Sequence, residues 1–254
     1  MSSASAALGA RLKTHAAAKP KLWLIPLGLA IAAGGLFAII GPWLYPDPRA
    51  GFGTNLFVSI LGLLFSLLGV AAAARVFRGR NRLVHVHEHG IFEQRGNLHT
   101  EMLWDEVATL VCVRVLLRQA AGLVTQQIAS YTLKTDSGRK MALDHLLADI
   151  LPLGEQVEAE VSRCLLPKIS ARLAQGESVS FSPLVVTSKQ LARGQKTLAW
   201  EQVAGAEVAY GEVRIFRRGE PSAWTKIQYS KLTNARALLS LISSRVKAEQ
   251  PGAP

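Results

Sequence analysis

The sequence RGNLHTEMLWDEVA occupies residues 95–108, and RGQKTLAWEQVA occupies residues 193–204. Both stretches begin with Arg-Gly, run through a short segment to a tryptophan and an acidic residue, and end with Val-Ala. Short alternating segments are typical of β-strands, and a glycine before such a segment is typical of a turn. A repeat of this kind predicts two copies of one supersecondary unit.

The residues around each stretch support the same unit. Alternating apolar segments begin at Leu83 and resume at Val179, and we expect each series to form an antiparallel sheet. A helix is predicted after the first series, because apolar residues recur there at every fourth position, with Pro167 as an expected interruption. Those apolar residues are Val157, Val161, Leu165, Ile169 and Leu173. A second helix is predicted from about Ser230 to Lys247.

An antiparallel sheet capped by one C-terminal helix resembles a pleckstrin-homology-like (PH-like) domain. The two copies would occupy residues 83–175 and 177–247, followed by a disordered tail at 248–254. The overall pattern is similar to the uncharacterised bacterial DUF6585-type membrane proteins. The resemblance implies an α+β fold, in which a two-helix transmembrane hairpin precedes two tandem PH-like units. It implies no functional residues.

Two uncharged apolar runs precede the repeats, at Leu22–Tyr45 and Thr54–Ala74. As helices they measure about 36 Å and about 31 Å, and the hydrocarbon core of a bilayer is about 30 Å thick. Proline and glycine between them indicate a turn. We therefore predict a transmembrane hairpin at 22–77, with helices at 22–45 and 54–76. The first run is too long for a signal peptide and lacks a cleavage site.

Charge predicts the orientation of this hairpin. The tail at 1–21 is basic, and four arginines follow the second run: Arg75, Arg78, Arg80 and Arg82. Because Lys and Arg stay on the cytoplasmic side, both termini are expected in the cytoplasm and the protein in the bacterial inner membrane. The same four arginines are candidates for binding anionic lipid.

The net charge of +11 favours an anionic partner. Nucleic acid is not expected, because aromatic residues are not interleaved with the basic ones. A second basic group falls on adjacent predicted strands of the second copy, where it forms either an anion-binding or partner-binding face or a plain solvated one. This group comprises Arg214, Arg217, Arg218 and Lys226.

Histidine and cysteine give weak metal-binding signals. His85 and His87 share one strand face and are the candidates for a shared metal, but no carboxylate completes the site. Cys112 and Cys164 lack zinc-site spacing and are expected to be free thiols. We therefore expect no metal and no cofactor.

Catalytic signals are missing from the sequence. It contains no GxSxG, HExxH or P-loop pattern. Trp104 and Trp200, at equivalent positions of the repeat, are predicted to pack in a core rather than to stack on a ligand. The acidic residues that follow them, Asp105, Glu106 and Glu201, are predicted to be solvated turn residues rather than a catalytic pair.

Together these patterns predict a membrane-anchored, non-enzymatic interaction or regulatory protein. Its PH-like modules would bind a protein or peptide partner at the membrane surface. The alternative is an anionic-lipid-sensing domain at the inner face of the membrane. The sequence leaves the identity of the partner and the oligomeric state open.

Overall fold

The computed structural model describes residues 7–17, 24–44, 52–79, 82–119 and 124–248. The fold is α+β, with four α-helices and several antiparallel sheets. The helices are α1 Leu24–Leu44, α2 Phe52–Gly79, α3 Ile150–Ala174 and α4 Ala235–Ala248. The first seven strands are β1 Arg11–Ala16, β2 Arg82–His87, β3 Gly90–Arg95, β4 Leu98–Leu103, β5 Val107–Gln119, β6 Val124–Thr135 and β7 Lys140–Leu143. The remaining strands are β8 Val179–Ser180, β9 Val185–Val186, β10 Gln190–Arg193, β11 Lys196–Ala199, β12 Val203–Ala209, β13 Glu212–Arg217 and β14 Ala223–Gln228.

Helices α1 and α2 are long and apolar enough to cross a membrane over Pro26–Leu44 and Thr54–Ala74. Leucine, isoleucine and phenylalanine side chains on both helices are exposed in the isolated chain. This is the composition expected where lipid, rather than protein, covers the outer surface of a helix.

Four glycines bring α1 and α2 together. Gly28 and Gly35 lie seven residues apart on α1, and Gly62 and Gly69 lie seven apart on α2. A Cβ atom on Gly35 would come within 2.5 Å of the Gly62 carbonyl oxygen, and one on Gly69 within 2.5 Å of the Gly28 carbonyl oxygen. Small residues at this spacing let two helix backbones approach closely.

A serine adds a polar contact to this interface. The Ser66 hydroxyl donates a hydrogen bond to the Ala32 carbonyl at 3.0 Å. The sequence contains no GxxxG motif in these runs, so the heptad spacing of the glycines, rather than that motif, produces the close approach.

The strands form four sheets in two pairs. The first pair has the orders β1-β2-β3-β4 and β5-β6-β7, and the second has β11-β10-β9-β8 and β12-β13-β14. In each pair a four-stranded sheet is followed by a three-stranded sheet and then by a long helix, α3 or α4.

Strand β1 was not predicted from the sequence, because the segment 1–21 in which it lies was expected to be a tail. It neighbours β2 in the sheet although α1 and α2 lie between them in the chain. The Ala17 amide donates to the Arg82 carbonyl at 2.9 Å, so the chain entering the helical hairpin lies beside the chain leaving it.

The repeat is visible in atomic detail. Trp104 and Trp200 each begin a single turn of 3-10 helix, and their indole Nε1 atoms donate to the carbonyls of His87 and Thr187. Immediately afterwards the register of β5 shifts between Val107 and Thr109, and that of β12 between Val203 and Gly205. The two stretches that resemble each other in sequence therefore share the same local structure.

The chain divides into two compact units by contacts. One contains most residues of the repeats and a continuous apolar core, in which Trp104 and Trp200 are buried as predicted. The predicted apolar positions of α3 are buried in the same core. Helix α3 continues through Pro167, which the sequence analysis expected to interrupt it. The other unit takes residues 16–83 and 93–99, including the apolar helices.

Candidate functional site

A cleft of about 700 Å³ opens in the unit that contains the repeats. Strand β5 and helix α3 of the first copy contribute to its lining, as do the end of β12 and helix α4 of the second. Its polar lining residues include Arg114, Glu158, Tyr229, Ser230 and Arg236. The cleft therefore joins surfaces from both halves of the repeat.

A buried carboxylate organises the polar part of this cleft. Glu158 on α3 accepts a hydrogen bond from Arg114 Nη2 at 3.0 Å and one from the Tyr229 hydroxyl at 3.1 Å. Arg114 Nε also donates to the Tyr131 hydroxyl at 3.2 Å. Because both oxygens of Glu158 accept a donor, the carboxylate is paired and hydrogen-bonded as a buried charge requires.

Local structure places these groups. Leu110 and Cys112 are buried on β5, and Arg114 follows them at the same alternate spacing, so it lies on the face towards α3. Gly154 on α3 leaves room for Tyr131, since a Cβ atom there would come within 1.8 Å of the tyrosine ring.

Burial keeps the neighbouring acids protonated. Burial, and to a lesser extent the nearby Glu158 carboxylate, raises the pKa of the Cys112 thiol to about 12. The pKa of Tyr229 is raised by burial and then by Glu158. At neutral pH Cys112 is therefore a thiol, a poor nucleophile, and Tyr229 is a hydrogen-bond donor.

The remaining wall of the cleft is apolar. Val115, Val208 and Leu239 line it, together with Tyr210, which is 93% exposed. The Arg214 guanidinium lies 5.4 Å from the centre of the Tyr210 ring, a cation–π contact that holds the ring at the surface. Val113, next to this wall on β5, is also exposed. Exposed apolar side chains beside a cleft are typical of a binding surface.

One edge of β5 adjoins the cleft. The Leu110 amide donates to Asn234 Oδ1 at 2.8 Å, and the Leu110 carbonyl accepts from the Asn234 amide at 2.8 Å. Both main-chain groups of Leu110 therefore face away from β6, and by strand alternation so do those of Cys112 and Arg114. Among the described strands, β5 pairs only with β6, apart from a single bridge at Val111.

The arginines proposed for lipid binding are placed differently from one another. Arg75 and Arg78 lie on α2, and Arg80 is outside the described residues. Arg82 is only 3% exposed and forms an ion pair of 2.5 Å with Glu93, which also pairs with Arg95 at 2.7 Å. The Arg82 side chain is therefore buried and paired within its unit. Lipid binding by Arg75, Arg78 and Arg80 stays a prediction.

The second basic group is accompanied by acidic residues. Arg214 lies opposite Lys226 in the sheet, as the sequence analysis expected for adjacent strands, and has Glu212 at 3.8 Å. Arg217 pairs with Glu220 at 3.1 Å, and Arg218 Nε donates to the Val203 carbonyl. The role of this group in binding an anion or a partner stays a prediction.

The two histidines do lie on one strand face, and each has a partner near the N-terminus. His85 Nδ1 is 2.9 Å from the Thr14 hydroxyl, and His87 Nδ1 is 3.1 Å from the Gly9 carbonyl. Within the described ranges, no group of three or more His, Cys, Asp or Glu residues is arranged to hold a metal ion. Cys112 and Cys164 are free thiols, as predicted.

The cluster around Glu158 was not predicted from the sequence. One residue did indicate it. Arg114 alternates with the buried Leu110 and Cys112 on an apolar strand, and a guanidinium on that face requires a carboxylate partner. Its partner, Glu158, lies 44 residues away, and Tyr229 lies 71 residues beyond that. Nothing in the local pattern identifies partners at such distances.

Comparison with known proteins gives a family and no individual relative. The chain matches no curated protein and no solved structure. A family model, described as a family of unknown function (DUF6585), matches residues 1–251, a range that includes the apolar helices and both repeats. The chain therefore belongs to the DUF6585 family.

Proposed function

We propose that this protein is a membrane-anchored, non-enzymatic interaction protein. Helices α1 and α2 cross the bacterial inner membrane with both termini in the cytoplasm. Two tandem PH-like units bind a protein partner at the inner face of the membrane, and the cleft lined by Arg114 and Tyr229 is the docking site.

The membrane part of the proposal is supported by the two apolar helices and by the charge around them. The helices have 21 and 28 residues, and each is long enough to cross the roughly 30 Å hydrocarbon core. The sequence between the two helices, residues 45–51, carries one arginine and one aspartate, whereas the outer flanks are strongly basic. This asymmetry favours cytoplasmic flanks.

The PH-like part is supported by the order of the elements. Each copy has a four-stranded sheet, a three-stranded sheet and a C-terminal helix in the same sequence. The shared tryptophan turn and the shared register shift strengthen the comparison between the copies.

The binding part rests on one observation, the cleft beside the edge of β5. It combines exposed apolar side chains with a polar cluster, and Cys112, which is buried beside that cluster, is held as an unreactive thiol. Such a surface suits recognition by shape and hydrogen bonding better than it suits nucleophilic chemistry.

Carbonate extraction of membranes tests the anchor. The full chain is expected to stay in the pellet with its C-terminus protected from external protease in spheroplasts. The test variant is Leu64→Arg, at a position on α2 that is 53% exposed. It should shift the protein towards the soluble fraction, because arginine in the middle of a membrane costs about 3 kcal/mol. The matched control Leu98→Arg, at a 75% exposed position outside the helices, should not. Complete extraction of the parent chain contradicts the proposal.

Site-specific photo-crosslinking in intact cells tests the docking site. A photoreactive amino acid at Tyr210 should give a discrete protein adduct, and one at Leu98 should not. Adducts of phospholipid mass at Tyr210 would favour the alternative, an anionic-lipid sensor. Absence of any adduct at Tyr210 would count against the docking site.

A further inference from the structure

We propose that the cleft binds the C-terminal end of a partner polypeptide. The terminal carboxylate pairs with the arginines of the lining, and an apolar last side chain packs against the apolar wall of the cleft. This inference rests on the proposed function and specifies which part of the partner the cleft receives.

The size and surroundings of the cleft favour a short chain end over a folded surface. Its volume of about 700 Å³ lies within the roughly 300 to 1,000 Å³ of pockets that enclose small ligands. A typical protein–protein interface, by contrast, covers about 800 Å² of each partner. Residues 229–234 lie along the edge of β5, where Thr233 bridges to Val111 and Asn234 bonds to Leu110. Because this edge is already covered, side chains rather than an added strand recognise the occupant.

The first specific support is positive charge that lacks an acidic counterpart. The charged residues of the lining are Arg114, Arg236 and Glu158, so the arginines outnumber the carboxylate. Glu158 is already occupied by Arg114 and Tyr229. Arg236, at an exposed position, donates to the Glu155 carbonyl at 3.4 Å and forms no ion pair within the described ranges of the chain. One further anionic group, supplied by the occupant, balances this charge.

The second support is the spacing between charge and apolar surface. Arg236 and Leu239 both line the cleft, and they lie three residues apart on α4. Side chains at this spacing are neighbours on a helix, with Cβ atoms about 5 to 6 Å apart. In the last residue of a polypeptide, the carboxylate and the side chain are attached to the same Cα atom. One terminal residue can therefore contact both neighbours at once, and bidentate pairing with the guanidinium fixes its direction.

The third support is the conformation of Tyr210. This residue and Gly211 form the two-residue turn between β12 and β13, with φ angles of 54° and 76°. A turn with two positive φ angles usually contains Asn-Gly, and a bulky residue there costs free energy. Strained residues of this kind are concentrated at functional sites. The ring is 93% exposed and lines the cleft, so contact with the occupant's apolar side chain accounts for a tyrosine in this turn.

A phospholipid fits these features less well. Its phosphate is separated from the acyl chains by glycerol, so its anionic group and its apolar surface are not adjacent. A small inorganic anion has no apolar part. The end of a polypeptide, with a carboxylate beside an aliphatic side chain, satisfies the charge, the spacing and the contact with Tyr210 together.

Fluorescence anisotropy on the full chain in neutral phosphatidylcholine nanodiscs tests this inference. The probe is a labelled Gly-Ser-Gly-Leu peptide with a free C-terminal carboxylate, and we expect it to bind saturably. The same peptide with a C-terminal amide should bind about tenfold more weakly, because the charge-assisted hydrogen bonds to arginine are lost. A free-acid peptide that ends in glycine should also bind more weakly, since it offers no side chain to the apolar wall.

Two substitutions in the cleft locate these contacts. Arg236→Gln should weaken binding of the free-acid probe about tenfold and leave the affinity for the amide unchanged. Tyr210→Asn introduces the residue that this turn prefers, so it should preserve the fold and still weaken binding about fivefold through loss of the ring contact. The control is Arg163→Gln, which removes an exposed arginine paired with Glu160 outside this cleft and should leave the affinity unchanged.

Several results would overturn the inference. Absence of saturable binding by the free-acid probe, or equal affinities of the acid and the amide, would show that the cleft does not recognise a chain end. Hexanoate binding as tightly as the probe would assign the cleft to a free organic acid. Displacement of the probe by phosphatidic acid added to the nanodisc would assign it to a lipid.

The proposed docking site has a separate test. A discrete protein adduct at Tyr210 in the crosslinking experiment, together with equal binding of the acid and amide peptides, would retain the docking site and overturn only the chain end. A failure of this inference and a failure of the proposed function are therefore distinguishable.

Discussion

At the scale of single residues, Glu158 holds the polar cluster together, because it bonds to Arg114 on β5 and to Tyr229 after β14. We predict that Glu158→Leu lowers the free energy of unfolding by about 2 to 3 kcal/mol. The substitution leaves the partly buried guanidinium of Arg114 and the hydroxyl of Tyr229 without their hydrogen-bond acceptor. The partial exposure of Arg114 makes the loss of stability smaller than for a fully buried charge. Glu158→Gln keeps one acceptor and should cost about half as much. Urea unfolding measures both.

A surface pair on the same helix provides the control. Glu160 pairs with Arg163 at 2.8 Å in an exposed setting. Glu160→Gln should change stability by less than about 0.5 kcal/mol. Equal losses at Glu158 and Glu160 would show that the cluster contributes no more than an exposed ion pair.

His15 predicts a pH dependence of stability. It is 1% exposed, and neither ring nitrogen has a hydrogen-bond partner in the described structure. Burial lowers its pKa, Lys13 lowers it further, and Asp149, 3.8 Å from Nδ1, acts in the opposite direction. The unfolded chain therefore binds a proton more readily than the folded one.

The sign follows from this difference. Above the unfolded pKa of about 6.5 the residue contributes no pH dependence, and below it stability falls as the pH falls. We predict that His15→Leu flattens the loss of stability between about pH 7 and about pH 5, measured by urea unfolding at each pH. An unchanged slope in His15→Leu would assign the effect to other groups, of which His85, also with a lowered pKa, is the first to replace.

At the scale of elements, the contact of α3 with β6 depends on one missing side chain. A Cβ atom at Gly154 would overlap the Tyr131 ring. We predict that Gly154→Ala lowers the free energy of unfolding by about 2 kcal/mol, although alanine is the better helix former by about 1 kcal/mol. Gly34→Ala, in α1 where nothing lies within 4 Å of the added atom, should not destabilise the chain.

Elements with a strong local pattern were predictable. The fourfold spacing on α3 identified its buried face, and the uncharged runs identified α1 and α2. Strand β1 was not predictable in this way. Its burial is confined to His15, so it shows no alternation, and its position in the sheet depends on β2, which is distant in the chain. The cluster at Glu158 was not predictable for the same reason, because it is formed by contacts between residues that are distant in the chain.

At the scale of the whole molecule, the two copies differ at one point. Strands β8 and β9 are joined by a short link, whereas β1 and β2 are separated by α1 and α2. The first strand of the first copy therefore precedes the helical hairpin in the chain, and the other strands of that copy follow it.

This arrangement predicts that residues 7–17 stabilise the part of the chain that contains the two copies. Residues 82–248 joined to 7–17 by a short glycine-serine linker should unfold at higher urea concentration than residues 82–248 alone, by about 2 kcal/mol or more. The added segment buries Leu8 and restores the sheet contacts of β1. The close approach of Ala17 to Arg82 makes a short linker sufficient. A scrambled 7–17 segment serves as control, and equal stability of the joined and scrambled versions would contradict the prediction.

The neighbouring positions of β1 and β2 also bear on the proposed passage of the chain through a bilayer. No lipid layer can separate two strands that are neighbours in one sheet, so in the proposed topology the polypeptide returns to the side of the bilayer from which it departed. The proposed topology then requires an even number of crossings, independently of any arginine or lysine. Because β1 precedes both apolar helices in the chain and β2 follows them, this sheet can be completed only after both helices have been synthesised.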